Sequence, residues 1–219
     1  MTVIIEKPAI NLREELADLR NQGTYQEQQF WYENAVTNGD FAANTTGWSA
    51  TAPATATWNS GAVDLARNSG SSVQNLFQTF ALKVGRTYKF SINITALSNS
   101  VALYSTGGGV LIGTTSSTGV FSATKVWAAG DTGLYVGCGG SVTATATVDD
   151  ILVYESDGTD IVYRLPKGWK PKDVFEDGSL QREGAAYDYE VVYDGFDYFV
   201  KPAVAPGVTT QTCVIGVRA

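Results

Sequence analysis

The stretch Val142-Thr143-Ala144-Thr145-Ala146-Thr147-Val148-Asp149-Asp150-Ile151-Leu152-Val153-Tyr154 decides the fold of this chain. From Val142 to Val148 small apolar residues alternate with threonines, the period of two that sends one set of side chains to a core. β-branched and aromatic residues suit a pleated surface, so the stretch reads as a long strand. Asp149-Asp150 interrupts it. Adjacent carboxylates inside a strand predict a β-bulge or a bound cation, because an unpaired buried charge is expensive.

Upstream, short β-rich runs between turn residues recur at Val73–Leu82, Tyr88–Ala96, Val101–Tyr104, Val110–Gly113, Gly119–Val126 and Leu134–Val136. No amphipathic helical pattern separates them, so residues 38–155 read as an all-β sandwich. Downstream, residues 156–219 hold two Asp-Gly pairs. Asp177-Gly178 lies between Lys172–Glu176 and Ser179–Arg182, and Asp194-Gly195 between Tyr189–Tyr193 and Phe196–Lys201. Both are signals for type I′ hairpins. A last strand is expected over Thr209–Val217. Tyr163, Trp169, Tyr187, Tyr189, Tyr193 and Tyr198 offer this small unit an aromatic core. A unit of this size is marginal alone, so it should lean on the sandwich or on partner chains.

Residues 1–37 differ from both units. Asn11 suits an N-cap with Glu14 three residues on, and Leu12, Leu16 and Leu19 recur at helical spacing. Arg20 complements the helix C-terminus and Gly23 supplies a stop. Such a short helix is unstable alone, so its leucine stripe must dock, on this chain's own body or on a neighbouring subunit. Val3-Ile4-Ile5 and Phe30-Trp31-Tyr32 add apolar surface outside any obvious domain and favour the neighbour. The partner-docking residues are therefore Ile4, Ile5, Leu12, Leu16, Leu19, Phe30 and Trp31 of an anchoring arm.

Composition narrows the chemistry. The 219 residues include no histidine, two cysteines and one methionine. This removes Ser-His-Asp and Cys-His nucleophile systems and thiolate-rich zinc or iron–sulfur sites. With 22 acids against 15 bases the net charge is −7, which argues against a phosphate-tracking nucleic-acid binder. No run approaches the roughly eighteen apolar residues of a membrane span, and the N-terminus does not read as a secretory signal. Cys138 and Cys213 are expected as buried, unpaired thiols. Thr106–Gly113 lacks the Gly-Lys-Ser/Thr ending of a phosphate loop, and Asp173–Glu183 departs from a calcium loop at Phe175 and Gly184. A carboxylate pair for glycoside hydrolysis needs only two acids and survives this elimination, but the sandwich has few acids to set in a cleft; the chain reads as non-enzymatic.

Four elements in order carry a resemblance: Asn38-Gly39-Asp40-Phe41, Gly47-Trp48-Ser49, Val84-Gly85-Arg86-Thr87-Tyr88 and Val148-Asp149-Asp150-Ile151. With Trp58 they resemble carbohydrate-binding modules of the galactose-binding-like jelly-roll fold. The resemblance implies a jelly-roll β-sandwich over 38–155 and a structural Ca²⁺ held by Asp40 with Asp149 or Asp150, whose oxygens suit that ion. The bland alternative is that these carboxylates cap turns. It also implies a glycan ligand, for which aromatic faces are required. Trp48 and Tyr88 occupy motif positions that belong to the core; of Trp58, Tyr104, Trp127 and Tyr135, the first three are the main candidates.

A second resemblance lies in Lys172-Asp173-Val174-Phe175, Asp177-Gly178, Leu180, Tyr187-Asp188-Tyr189, Val191, Ala205-Pro206 and Val214-Ile215-Gly216, together with Glu6-Lys7-Pro8-Ala9-Ile10-Asn11-Leu12-Arg13-Glu14. These are similar to tailed-bacteriophage virion proteins. They imply a structural protein made in the host cytoplasm and released by lysis in the virion. It would attach through its N-terminal arm as a tail fibre-like appendage or adaptor. Head (capsid) decoration or glycan-mediated host adsorption are the alternatives. Partners would be capsid or tail proteins and further copies of the chain, a trimer being favoured.

Overall fold

The computed structural model describes residues 27–67, 75–107, 109–139, 143–184 and 188–218. Among them the elements are β1 (Glu27–Tyr32), β2 (Ser49–Ala50), β3 (Thr55–Trp58), β4 (Val63–Arg67), β5 (Leu76–Thr79) and β6 (Thr87–Leu97). They continue with β7 (Ser100–Ser105), β8 (Leu111–Thr115), β9 (Gly119–Val126), β10 (Gly133–Gly139), β11 (Ala144–Glu155) and β12 (Tyr163–Arg164). The last five are β13 (Trp169–Glu176), β14 (Ser179–Leu180), β15 (Tyr189–Tyr193), β16 (Tyr198–Pro202) and β17 (Thr212–Arg218). The described chain is all-β and contains no helix. The expected helix, with Ile4, Ile5, Leu12, Leu16 and Leu19, lies outside the described residues.

Two five-stranded antiparallel sheets, β2-β5-β10-β7-β8 and β3-β4-β11-β6-β9, share one apolar core. The period of two explains it. β6 buries Tyr88, Phe90, Ile92 and Ile94, every second residue. β11 buries Ala144, Ala146 and Val148, then Ile151 and Val153. The inward set thus changes from even to odd numbers across Asp149-Asp150. Between Asp149, opposite Asn93, and Leu152, opposite Ser91, β11 carries one residue more than β6. That is a bulge, with Asp150 at φ 48°. Without it one carboxylate would point into the core.

The turn before the first strand of the sandwich clamps this bulge. Ile151 N–H donates to the Gly39 carbonyl at 2.9 Å. Asn34 Nδ2 donates to the Ile151 carbonyl and its Oδ1 accepts from Val153 N–H, both at 2.8 Å. A Cβ on Gly39 would stand 2.2 Å from the Ile151 carbonyl oxygen, so only glycine fits.

The second unit has the sheets β1-β17-β13-β14 and β12-β16-β15. Its first strand comes from the segment read as an arm: β1 pairs antiparallel with β17. Phe30 and Tyr32 turn into the core of this chain and Trp31 turns out, as strand alternation requires. Phe30, expected to dock on a partner, packs instead edge-on against Trp169, with centroids 5.2 Å apart. The unit rests on the sandwich through β11, whose Leu152 and Tyr154 face away from the sandwich core and join the second one. The two Asp-Gly turns differ. Asp177 and Gly178 both have positive φ and join Glu176 to Ser179 as a two-residue type I′ turn. Asp194-Gly195 instead opens a four-residue loop, because Tyr193 pairs with Tyr198.

Candidate functional site

The outer face of the β2-β5-β10-β7-β8 sheet carries an aromatic row. Inward positions Leu76, Leu134, Val136, Val101 and Leu103 are sealed in the core. Alternation therefore turns Phe77, Tyr135 and Tyr104 outward, and each is half-buried. The register aligns them: Ser49 opposite Phe77, Phe77 opposite Tyr135, Tyr135 opposite Tyr104, and Tyr104 opposite Leu111. The Phe77 and Tyr135 rings are 5.0 Å apart, tilted by 46°.

At about 4.8 Å per strand, three rings on adjacent strands span about 10 Å, the length of about two sugar rings. Leu111, 50% exposed, prolongs the row. Ala102 and Gly137, two residues from Tyr104 and Tyr135 along their strands, add no bulk beside the rings. Neither tyrosine hydroxyl bonds a described residue, so both can donate and accept. None of the five strands contains Asp, Glu, Lys or Arg. Such a surface suits an uncharged ligand with a C–H-rich face and peripheral hydroxyls.

Of the three main aromatic candidates named from sequence, only Tyr104 lies in this row, beside Tyr135, which the sequence also offered. Trp127 is 1% exposed, packed between Phe80 at 5.9 Å and Phe90 at 6.2 Å, so it offers no free face to a sugar. Its place is in the core. Trp58 is 41% exposed on edge strand β3 of the opposite sheet, and its Nε1 donates to the Phe41 carbonyl at 2.7 Å. Phe77 was missed. Its signal is the Leu76-Phe77-Gln78 alternation, but its neighbours are fixed by a register that sequence does not display.

The carboxylates of Asp40, Asp149 and Asp150 act on one another at the bulge. Among the described residues no group of three or more His, Cys, Asp or Glu could hold a metal ion. Asp149 Oδ1 accepts the N–H of Asp150 at 2.7 Å. Its carboxyl is pushed above the ordinary range by burial, and then by the charges of Asp150 and Asp40. The expected bulge is present at Asp149-Asp150. Cys138 and Cys213 are both buried and free, the Cys138 thiol pushed up to about 11 by burial.

No family model matches the chain, and no curated protein matches it. Among solved structures, it is similar to the CBM22-1–GH10 modules of Clostridium thermocellum endo-1,4-β-D-xylanase 10B, crystallised with xylohexaose. The identity is 19% and the TM-score 0.41, over 62% of this chain and 30% of that one. The chain thus spans less than a third of the protein it matches.

Proposed function

We propose that the chain is a non-catalytic glycan-binding protein that holds an extended, uncharged polysaccharide across Phe77, Tyr135 and Tyr104. The carrying observation is the register that sets three outward aromatic rings side by side on a sheet whose strands bear no charge. Stacking supplies affinity and the two hydroxyls supply orientation. A shallow platform binds weakly per site, so many copies on one particle would give avidity. The sequence motifs of the C-terminal unit support a phage virion as that particle, with the chain as appendage, adaptor or capsid decoration. Deletion of residues 1–23 should then abolish incorporation into particles, and unchanged incorporation removes the arm from that role.

The glycan reading is tested by screening the full chain on an array of microbial surface polysaccharides and neutral hexasaccharides, followed by calorimetry. Tyr135→Ala should weaken binding about tenfold, the upper range for one aromatic contact. Trp58→Ala should leave it unchanged. Equal binding by wild type, Tyr135→Ala and Tyr104→Ala would sink the platform.

A further inference from the structure

We infer that the C-terminal unit carries a second glycan site, a clamp between Trp31 and Phe175 on the outer face of its four-stranded sheet. The inference takes its ligand class from the reading above but stands on separate residues. β17 lies between β1 and β13, and Cys213 is opposite both Trp31 and Phe175. Two aromatic side chains therefore flank one small residue, with their backbones about 10 Å apart. A cavity of about 310 Å³ opens between them, at the lower end of the range for small-ligand pockets. Its floor is Cys213, 5% exposed, and Ile215. A larger residue than cysteine at that point would fill the slot.

Trp31 is 59% exposed, in a strand whose neighbours Phe30 and Tyr32 are packed inward. Its indole N–H and the Gln29 amide have no hydrogen-bond partner among the described residues. Asp177, at the rim, accepts the backbone N–H of Gln211 on Oδ1 at 3.0 Å, and its Oδ2 bonds no described residue. An aromatic clamp with an amide, an indole N–H and a carboxylate oxygen that bond no described residue matches a sugar ring: C–H faces for stacking, hydroxyls for the rim. A purely apolar partner would leave these three polar groups stripped of water and unpaired, a cost that disfavours it.

The test uses the full chain against immobilised cellohexaose, xylohexaose and chitohexaose and an array of bacterial surface polysaccharides. In a Tyr104→Ala/Tyr135→Ala background, a residual signal should persist. Trp31→Ala should reduce it at least tenfold and Gln29→Ala about threefold, with unchanged far-ultraviolet circular dichroism. Residual binding that survives both exposed-surface changes overturns the clamp, as does complete loss of binding in the Tyr104→Ala/Tyr135→Ala background alone. Binding lost with Trp31→Ala but kept with Tyr135→Ala supports the clamp and overturns the platform. Sedimentation of the same variants separates the alternative: a Trp31→Ala chain that dissociates an oligomer and binds glycans normally makes this face a subunit interface. No binding of the wild type to any probe overturns both sites.

Discussion

The two β units secure their cores by opposite means. The sandwich buries Leu65, Leu76, Phe90, Ile92, Ile94 and Val148 between two sheets, and among its described strands charge is scarce. The C-terminal unit encloses Tyr154, Tyr163, Trp169 and Tyr189 and surrounds them with ion pairs. Arg164, 13% exposed, binds Glu155 at 2.8 Å and Asp194 at 2.6 Å, and Lys201 binds Asp160 at 2.6 Å. A small unit buries too little apolar surface to stand on packing alone, so larger rings and charge-assisted bonds make up the difference. The sandwich uses such a bond at Lys125 and Asp131, beside Trp127, but its β2-β5-β10-β7-β8 strands carry no charge at all. Its uncharged outer sheet is thus a surface with no structural debt to settle, free for contact with a ligand.

The most damaging single change should fall in the sandwich. Trp127 is the hub of Phe80, Tyr88 and Phe90, with the Lys125 ammonium 5.5 Å from its ring centre. Trp127→Ala should cost about 3–5 kcal/mol in urea unfolding. A cost below about 1 kcal/mol would mean that the ring is not a core element.

Next is Gly39→Ala, which drives a methyl into the Ile151 carbonyl and separates the Asn38-Gly39-Asp40-Phe41 turn from the bulge. We expect a loss of about 3 kcal/mol, the upper end for overpacking against backbone. Hydrogen exchange at Ile151 and Val153 would localise it, and unaltered protection there would break the proposed clamp on β11.

How much of this was legible in the sequence follows from which interactions are local. The bulge was readable, because two carboxylates in a strand conflict with alternation wherever the strand lies. The Asp177-Gly178 turn was readable for the same reason. β2, β3 and β4 were not: Ser49–Ala50, Thr55–Trp58 and Val63–Arg67 are short and become strands only through their partners. The aromatic row was half legible. Tyr104 and Tyr135 stood out as candidates, but a cross-strand register brought Phe77 beside them. β1 was misread as an arm because its partner β17 lies at the far end of the chain.

Arg164→Gln sharpens the contrast from the other side. It leaves Asp194 without its guanidinium and Glu155 with only the more distant Arg86 at 3.8 Å, and should cost about 1.5–3 kcal/mol, the range for a hydrogen bond to a charged group. Its pH dependence has a definite sign. Asp194 is held down to about 2, first by the Asp197 N–H, then by Arg164. A lowered carboxyl stabilises the fold above its ordinary value, and this stabilisation is lost as pH falls from about 4 toward 2. Removing the cation should move acid unfolding to higher pH. Identical acid midpoints for variant and wild type would show that the backbone donors alone set Asp194.

The smallest effect separates bulge from cation at Asp149. Burial and the neighbouring Asp150 and Asp40 raise its carboxyl, so the folded state favours the protonated form. A raised carboxyl stabilises the fold below its ordinary pKa and loses that contribution as pH rises through the folded value. At neutral pH the ionised group is therefore a small burden. Asp149→Asn removes the charge while an amide oxygen can still accept the Asp150 N–H. It should stabilise the chain at pH 7 by up to about 0.5 kcal/mol. The advantage should disappear near pH 3, where wild type is protonated. Millimolar Ca²⁺ should leave both melting temperatures unchanged, since Asp149 Oδ1 already accepts the Asp150 N–H and no group of three or more acidic or thiol ligands gathers among the described residues. A variant that melts lower at pH 7, with a wild type that Ca²⁺ stabilises, would reverse the assignment and make Asp149 a ligand.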